Sequence, residues 1–377
     1  MDYRIDTSAQ EALIKDINKR TDVEAARMKR YLDMKDLSRT PESPLYEIVD
    51  RTRKLPFLKN FDNIIIPEIV PADVSFDLFN FAPNHPARST SDTYYVDKNN
   101  ILRTHDTVMW YYYLQLPEIK KKIAAQKELG VICYGKVYRK DEIDRRHMNI
   151  FHQMGGLYLV PDTEKQLTLE DLKTALSNIV KGVFGPDIVY RFNTDTFPYT
   201  DPSLEVEVQI KGQWIEILGG GMPRKDVLKN FGLEGYNGWA FGFGLERLAI
   251  IGMELPDIRL LWSDDERVKK QLKLGTIYKE VSKFPAIVRD ISFVVNKADF
   301  APNNYFDLVR DVVGDLAEEM ALVDEYENAK KFGEGKKSYA YRITYRSIDR
   351  TLTSAEIDAL HKKLEERTKE VFKATVR

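Results

Sequence analysis

The stretch "LEVEVQIKGQWIEILGGG", residues 204–221, restricts this chain more than any other. Leu204, Val206, Val208 and Ile210 alternate there with Glu205, Glu207 and Gln209. Side chains of a strand point alternately to two faces, so the spacing predicts a strand with one apolar and one carboxylate-bearing face. A turn at "KGQ" reverses the chain and Trp214 to Leu218 return, which makes a β-hairpin ending in three consecutive glycines. Bare backbone of that kind can approach another group closely, at the cost of side-chain packing.

Other segments share this texture. "VICYGKVY", a charged loop and "IFHQMGGLYLV" read as a second antiparallel pair. Leu169, Leu172, Leu176, Ile179 and Val183 recur at helical spacing over about 164–184, and Gly185 closes that helix. "GWAFGFGLERLAIIGM" runs from a glycine-rich strand into a helix with Leu245, Leu248, Ala249 and Met253 on one side. The segment 1–56 is charged and helix-compatible, punctuated by Pro41, Pro44 and Pro56, and reads as a helical lead-in. A larger unit is expected over 57–263, a linker over 264–282 and a small module over 283–377. That module reads as strand "DISFVV", helix "YFDLVRDVVGDLAEEM", strands around "LVDEYE" and "YAYRITYR", and a last helix. Thr353 and Glu356 are spaced as a capping box for this last helix. The fold class is α+β, with antiparallel sheets and the module's helices on one face of its sheet.

Composition removes several classes. The 57 Lys plus Arg balance 59 Asp plus Glu, so any contact with a polyanion must come from local patches. The single cysteine, Cys133, excludes an internal disulfide framework and a Cys-rich zinc site, and its apolar setting reads as core. No stretch approaches the ~18 to 20 apolar residues of a membrane span. The start "MDYRIDTSAQEALIKDINKR" lacks an apolar targeting core. A cytoplasmic chain is expected, or one in the mitochondrial matrix for a processed form.

The loop "YRKDEIDRRHMNIFHQ" places Arg139, Lys140, Arg145, Arg146 and His147 among Asp141, Glu142 and Asp144. An isolated charge run of this sort is usually a solvated hairpin tip. Its position between two strands favours a second reading, phosphate recognition, because the arginine fork donates in pairs and never deprotonates. Arg247, opening the helix after "FGFGLE", suits the same role.

Taken in order, these pieces resemble motifs 2 and 3 of class II aminoacyl-tRNA synthetases. "HPAR" at 85–88, "LRTH" at 102–105, "VYRKDEID", "FHQ", "FPYTDPS" at 197–203 and "GWAFGFGLERLA" followed by "PDIRLLW" are similar to the phenylalanyl-tRNA synthetases. "KFPAIVRDISFVV" and "YRITYRSIDRTLTSAEI" resemble the ferredoxin-fold anticodon-binding domain that ends the single-chain, mitochondrial-type members. The resemblance spans about residues 57–377. It implies ATP and Mg²⁺ as cofactors, phenylalanine and tRNA(Phe) as partners, and a monomer.

Residue by residue, the resemblance implies that Arg139 holds the α-phosphate and Arg247 the γ-phosphate, as catalytic cations. His147 stands near the phosphates, Phe151 stacks on adenine, Asp141 meets the adenine amino group, and Gly244 lets the nucleotide lie flat. Glu216 is the expected magnesium ligand, since Mg²⁺ takes few carboxylates and several phosphate oxygens. His105, Thr107 and Gln153 approach the amino acid; Phe197 and Tyr199 line its side-chain pocket, floored by Gly219 and Gly220, and Ala240 sets its depth. A lone histidine is more often a structural donor, and Phe151 without the motif would be core. In the tail, Tyr339, Tyr341, Ile343 and Tyr345 fall on one strand face and Arg342, Thr344 and Arg346 on the other. Lys283, Arg342, Arg346 and Arg350 are the expected tRNA contacts, with an ordinary charged exterior as the bland alternative.

Two positions depart from the family pattern. His-Thr-Ser becomes His105, Asp106, Thr107, and Gln-Leu-Glu becomes Gln153, Met154, Gly155. The lost glutamate accepts the substrate ammonium in the family, so Asp106 is expected to replace it. The altered site leaves two other readings open: a synthetase-like binder of tRNA or amino acid that does not charge, and a synthetase for another amino acid such as tyrosine.

Overall fold

The computed structural model describes residues 1–280 and 284–377. The 204–221 pattern forms the hairpin it predicts. Lys211 and Gly212, at φ 51° and 80°, make a two-residue turn in the left-handed conformation that matches the twist of flanking strands.

Among the described residues an eight-stranded sheet carries β1 (Asp2–Arg4), β2 (Asp62–Ile65), β3 (Leu129–Tyr138), β4 (Ile150–Pro161), β5 (Tyr190–Phe197), β6 (Thr200–Ile210), β7 (Gln213–Pro223) and β8 (Tyr236–Gly244). Their order in space is β1-β2-β3-β4-β8-β7-β6-β5, parallel between β1, β2 and β3 and antiparallel thereafter. Glycine-rich β8 therefore lies between β4 and β7, the other strands with glycine runs. Helix α1 (Leu169–Phe184) opens with a reciprocal cap between Thr168 and Asp171 and ends at Gly185, φ 96°. Its Leu172, Ala175, Leu176, Ile179, Val180 and Val183 are buried. Helix α2 (Leu245–Met253) follows β8 directly.

Residues 1–138, 150–255 and 272–277 form one compact unit. The lead-in is part of it: β1 pairs with β2, and Leu45, Ile48 and Val49 are buried. The lead-in thus shares the compact unit of the segments that follow it, and β1, at three residues, is too short to show a period in sequence.

The second unit holds 139–149, 256–271 and 278–377. Its sheet runs β10 (Ala317–Glu327), β11 (Lys336–Tyr345), β9 (Ile287–Asn296), β12 (Thr375–Val376), all antiparallel. Helices α3 (Pro302–Val313) and α4 (Ser354–Phe372) contribute Tyr305, Leu308, Val309, Ile357 and Leu364 to a core with Phe293, Tyr341 and Tyr345. At the start of α4, Thr353 accepts from the Glu356 amide, but the Glu356 carboxylate binds Arg350, so only half of the expected capping box forms. The segment 264–282, expected as a linker, carries a short helix, Glu266–Lys269.

Candidate active site

Three glycines occupy one row of the first unit's sheet. Gly219 on β7 lies opposite Gly242 on β8, Gly242 opposite Gly155 on β4, and Gly155 opposite Cys133 on β3. Opposed residues of neighbouring strands share a face, so the row is a floor without side chains across three strands. Other groups come down onto it. A Cβ added at Gly219 would stand 2.9 Å from Cζ of Phe197; one at Gly155 would stand 2.2 Å from Oδ2 of Asp106, and one at Gly242 3.6 Å from its Oδ1. An aromatic ring therefore covers one end of the row and a carboxylate the other.

The next residues face the opposite way. A Cβ at Gly156 would meet the Phe241 ring at 2.4 Å, and one at Gly220 would meet the Ala240 carbonyl at 2.8 Å and Leu172 and Leu176 of α1 at 3.2 Å. Gly220 thus serves helix packing, and of the two glycines expected on the pocket floor only Gly219 lies beneath Phe197.

The ringed end is a cluster of aromatics. Phe197 stacks on Tyr199 at 6.1 Å, and Tyr199 meets Phe79 at 5.7 Å, Phe81 at 6.2 Å and Trp110 at 6.2 Å. His105 lies parallel to Phe81 at 6.0 Å, and its Nε2 is 3.2 Å from the Ser75 carbonyl. Ala240 is buried in the core that includes Trp110 and packs Tyr199. The sequence reading did not single out Phe79, Phe81 and Trp110; their local traces are the aromatic density of "FDLFNF" and of "MWYYY".

At the other end Asp106, buried, opens the 3₁₀ turn Asp106–Val108, which also carries Thr107. Its backbone N–H donates to Oε1 of Gln153 at 3.1 Å. Burial pushes the Cys133 thiol up to about 11, with Arg103 pulling it down and Asp106 raising it, so a protonated core thiol continues the row past Gly155.

A buried lock holds β4 to α2. His152, with no exposed surface, faces Oε1 of Glu246 with Nδ1 at 2.6 Å, and its Nε2 accepts from the Leu37 N–H at 2.9 Å. That acceptor role leaves the ring proton on Nδ1, donated to Glu246. The lock fixes the strand carrying Phe151 and Gln153, and the helix turn carrying Arg247. Arg247, about half exposed, pairs with Glu216 at 3.1 Å across to β7. A Cβ at Gly244, just before α2, would meet nothing within 4 Å.

Among the described residues no three His, Cys, Asp or Glu side chains gather as a metal cage. Glu216, 49% exposed, is a single carboxylate, the donor set that suits a Mg²⁺ held mainly by phosphate oxygens and water.

Arg139, Asp141 and His147 lie on the segment 139–149, in the second unit. It is tied to that unit's elements: Arg310 of α3 donates to the Asp141 and Glu142 carbonyls at 2.9 and 2.5 Å, the Met320 N–H to the Ile143 carbonyl at 2.9 Å, and Asn149 to Asp307 at 2.9 Å. Nδ1 of His147 is 2.9 Å from Asp144. Burial pulls the Asp144 carboxyl upward, but hydrogen bonds from His147 and the Arg146 and His147 amides outweigh it and leave it below the ordinary value.

In the tail, the described arginines expected to meet tRNA are each engaged by a carboxylate. Arg342 binds Asp290 through two bonds of 2.8 Å, Arg346 binds Glu318 at 3.0 Å, and Arg350 binds Glu356. Tyr339, Tyr341 and Tyr345 are buried in the core, whereas Tyr326 on β10 is exposed, a stacking candidate missed in sequence. Lys283 lies outside the described residues.

A family model for the class II core domain of tRNA synthetases (F) matches residues 29–272, and one for the ferredoxin-fold anticodon-binding domain matches 282–377. Fold and matches together define a class II aminoacyl-tRNA synthetase. The chain is 36% identical to the chloroplastic/mitochondrial phenylalanine–tRNA ligase of Arabidopsis thaliana, covering 85% of this chain and 70% of that protein. It is 33% identical to the mitochondrial phenylalanine–tRNA ligase of Mus musculus (85% and 75%) and 32% to that of Dictyostelium discoideum (85% and 79%). The chain belongs to the phenylalanine–tRNA ligase family.

Proposed function

We propose that this protein activates phenylalanine with ATP and transfers it to tRNA(Phe). The observation that supports the amino-acid choice is the aromatic end of the glycine row, where Phe197, Tyr199, Phe79, Phe81 and Trp110 pack together as a surface of rings chemically suited to a phenyl group. An oxygen of the amino-acid carboxylate attacks the α-phosphorus and pyrophosphate leaves; the tRNA 2′-hydroxyl then attacks the adenylate carbonyl and AMP leaves. No protein nucleophile is needed, so the residues act by positioning and by neutralising phosphate charge.

In this reading Arg247 and Arg139 meet the phosphates, as fixed cations should where charge accumulates. Phe151 stacks on adenine, and His147 and Asp141 flank the nucleotide. Glu216 is the residue that would hold Mg²⁺, and the ion would supply charge neutralisation for the pyrophosphate leaving group. His105 serves by holding the pocket wall through Ser75 and Phe81. In the tail, Arg342, Arg346 and Arg350 exchange their carboxylate partners for tRNA phosphates. The working unit is a monomer, which sedimentation of the purified chain checks.

Amino-acid-dependent ATP–pyrophosphate exchange across the twenty amino acids, followed by charging of tRNA(Phe), tests the proposal. Phenylalanine should give the highest kcat/KM. Exchange with none would leave a non-charging binder, and a winner such as tyrosine would reassign the substrate.

A further inference from the structure

We infer that a cavity on the other face of the same sheet is a site for a small organic cation, an ammonium group carrying alkyl substituents. The inference is independent of the functional reading above, because no residue of the glycine row or of the proposed nucleotide grip lines this cavity.

Tyr158 on β4 lies opposite Trp239 on β8. Each is three residues along its strand from Gly155 or Gly242, an odd number, so both side chains leave the sheet on the face opposite the glycine row. Their ring centroids stand 5.2 Å apart with the planes at 40°. Phe57, from the 3₁₀ turn Pro56–Leu58, stands 6.1 Å from Trp239 at 60°. Phe61 stacks on Tyr158 at 5.5 Å and on Trp239 at 5.9 Å, which holds these two rings in place. Phe57, Tyr158, Trp239 and the N-terminal half of α1 line a cavity of about 310 Å³, at the lower end of the range for small-molecule sites.

The helix side decides the sign of the ligand's charge. A helix N-terminus by itself attracts anions. Here the chain already serves it: the Thr168 hydroxyl accepts from the Asp171 N–H at 3.3 Å, and the Asp171 carboxylate accepts from the Thr168 N–H at 2.8 Å. What faces the cavity beyond that is acidic. Glu170 and Asp171 line it. The Tyr158 hydroxyl, which donates to Glu128 at 2.7 Å, is held above its ordinary range first by burial, then by that bond and by the charges of Glu128, Glu164 and Asp171. Asp171 pairs with Lys165 at 2.9 Å and Glu170 with Lys173 at 2.6 Å, and exposed pairs of this kind are weak enough for an entering cation to displace. Ring faces are electron-rich, so three rings set at oblique angles beside carboxylates attract a cation. A small hydrated ion would forfeit water to reach them, whereas an alkylated ammonium brings apolar surface that matches the rings.

Isothermal titration of the full chain at low ionic strength tests this with three ligands of one shape: choline, the neutral 3,3-dimethylbutan-1-ol and the anionic 3,3-dimethylbutanoate. Choline should bind at least about tenfold more tightly than the alcohol, and the carboxylate should bind most weakly. Phe57→Leu removes one ring and should weaken choline roughly two- to fivefold. Lys165→Gln, at a surface position that leaves the fold intact, removes the competing cation and should tighten choline by about twofold or more. Absence of choline binding, or binding of the alcohol or the carboxylate as tight as that of choline, overturns the inference. So does a choline affinity that neither variant changes, which would place the bound cation elsewhere on the chain.

Discussion

Strands β4 and β7 both flank β8 and both carry glycine runs, yet the two runs do different things. On β7 a Cβ at Gly219, Gly220 or Gly221 would strike the Phe197 ring, the Ala240 carbonyl with α1, or the Thr200 side chain. These residues are bare so that protein can pack closely on both faces. On β4 Gly156 does the same for the Phe241 ring, but its neighbour Gly155 makes room for a carboxylate. One glycine in the pair is structural, and the other is part of a charge arrangement. A glycine's purpose is thus legible only from what fills its missing side chain.

Substitutions can break this comparison. The largest expected effect is at Gly155→Ala, where a methyl must displace the Asp106 carboxylate; kcat/KM for phenylalanine should fall about 100-fold or more with ATP affinity retained, as isothermal titration and exchange kinetics would show. Gly156→Ala should behave oppositely, losing about 1–3 kcal/mol of stability to overpacking against Phe241 while the phenylalanine KM holds, which a denaturant titration beside exchange kinetics checks. If both variants shift only the melting temperature, the distinction between the two glycines fails. Gly219→Ala is milder, because its methyl meets the far end of a side chain that can turn; a rise in phenylalanine KM of roughly five- to tenfold, about 1 kcal/mol, is expected. The smallest effect on phenylalanine itself is expected from Ala240→Gly, which should leave its KM within about threefold yet admit para-chlorophenylalanine in the exchange assay, because removing one methyl changes apolar burial by about 1 kcal/mol.

Much of the fold was legible because its hairpins alternate cleanly, as Leu204 to Ile210 do, and because α1 and the tail helices keep their period. What stayed hidden depends on separation in sequence. The His152–Glu246 lock joins residues 94 apart, and the wall of Phe79, Phe81 and Trp110 is assembled by chain crossings that no local pattern records. The glycine at 155 and the carboxylate at 106 were each visible as departures from the family pattern, but the 2.2 Å conflict between them exists only in three dimensions. In the tail, alternation predicted the faces of β11 correctly, yet Tyr339, Tyr341 and Tyr345 turned out to be core.

The segment 139–149 has a practical consequence. The residues proposed to grip the nucleotide sit on a stretch whose main-chain carbonyls are held by Arg310 and whose Ile143 is part of the tail's own hydrophobic cluster. Deleting the anticodon-binding module is therefore not a clean way to obtain a minimal adenylating enzyme. The truncated chain would carry its proposed phosphate-binding loop with the scaffold of that loop removed, so a loss of exchange activity there would say nothing about tRNA.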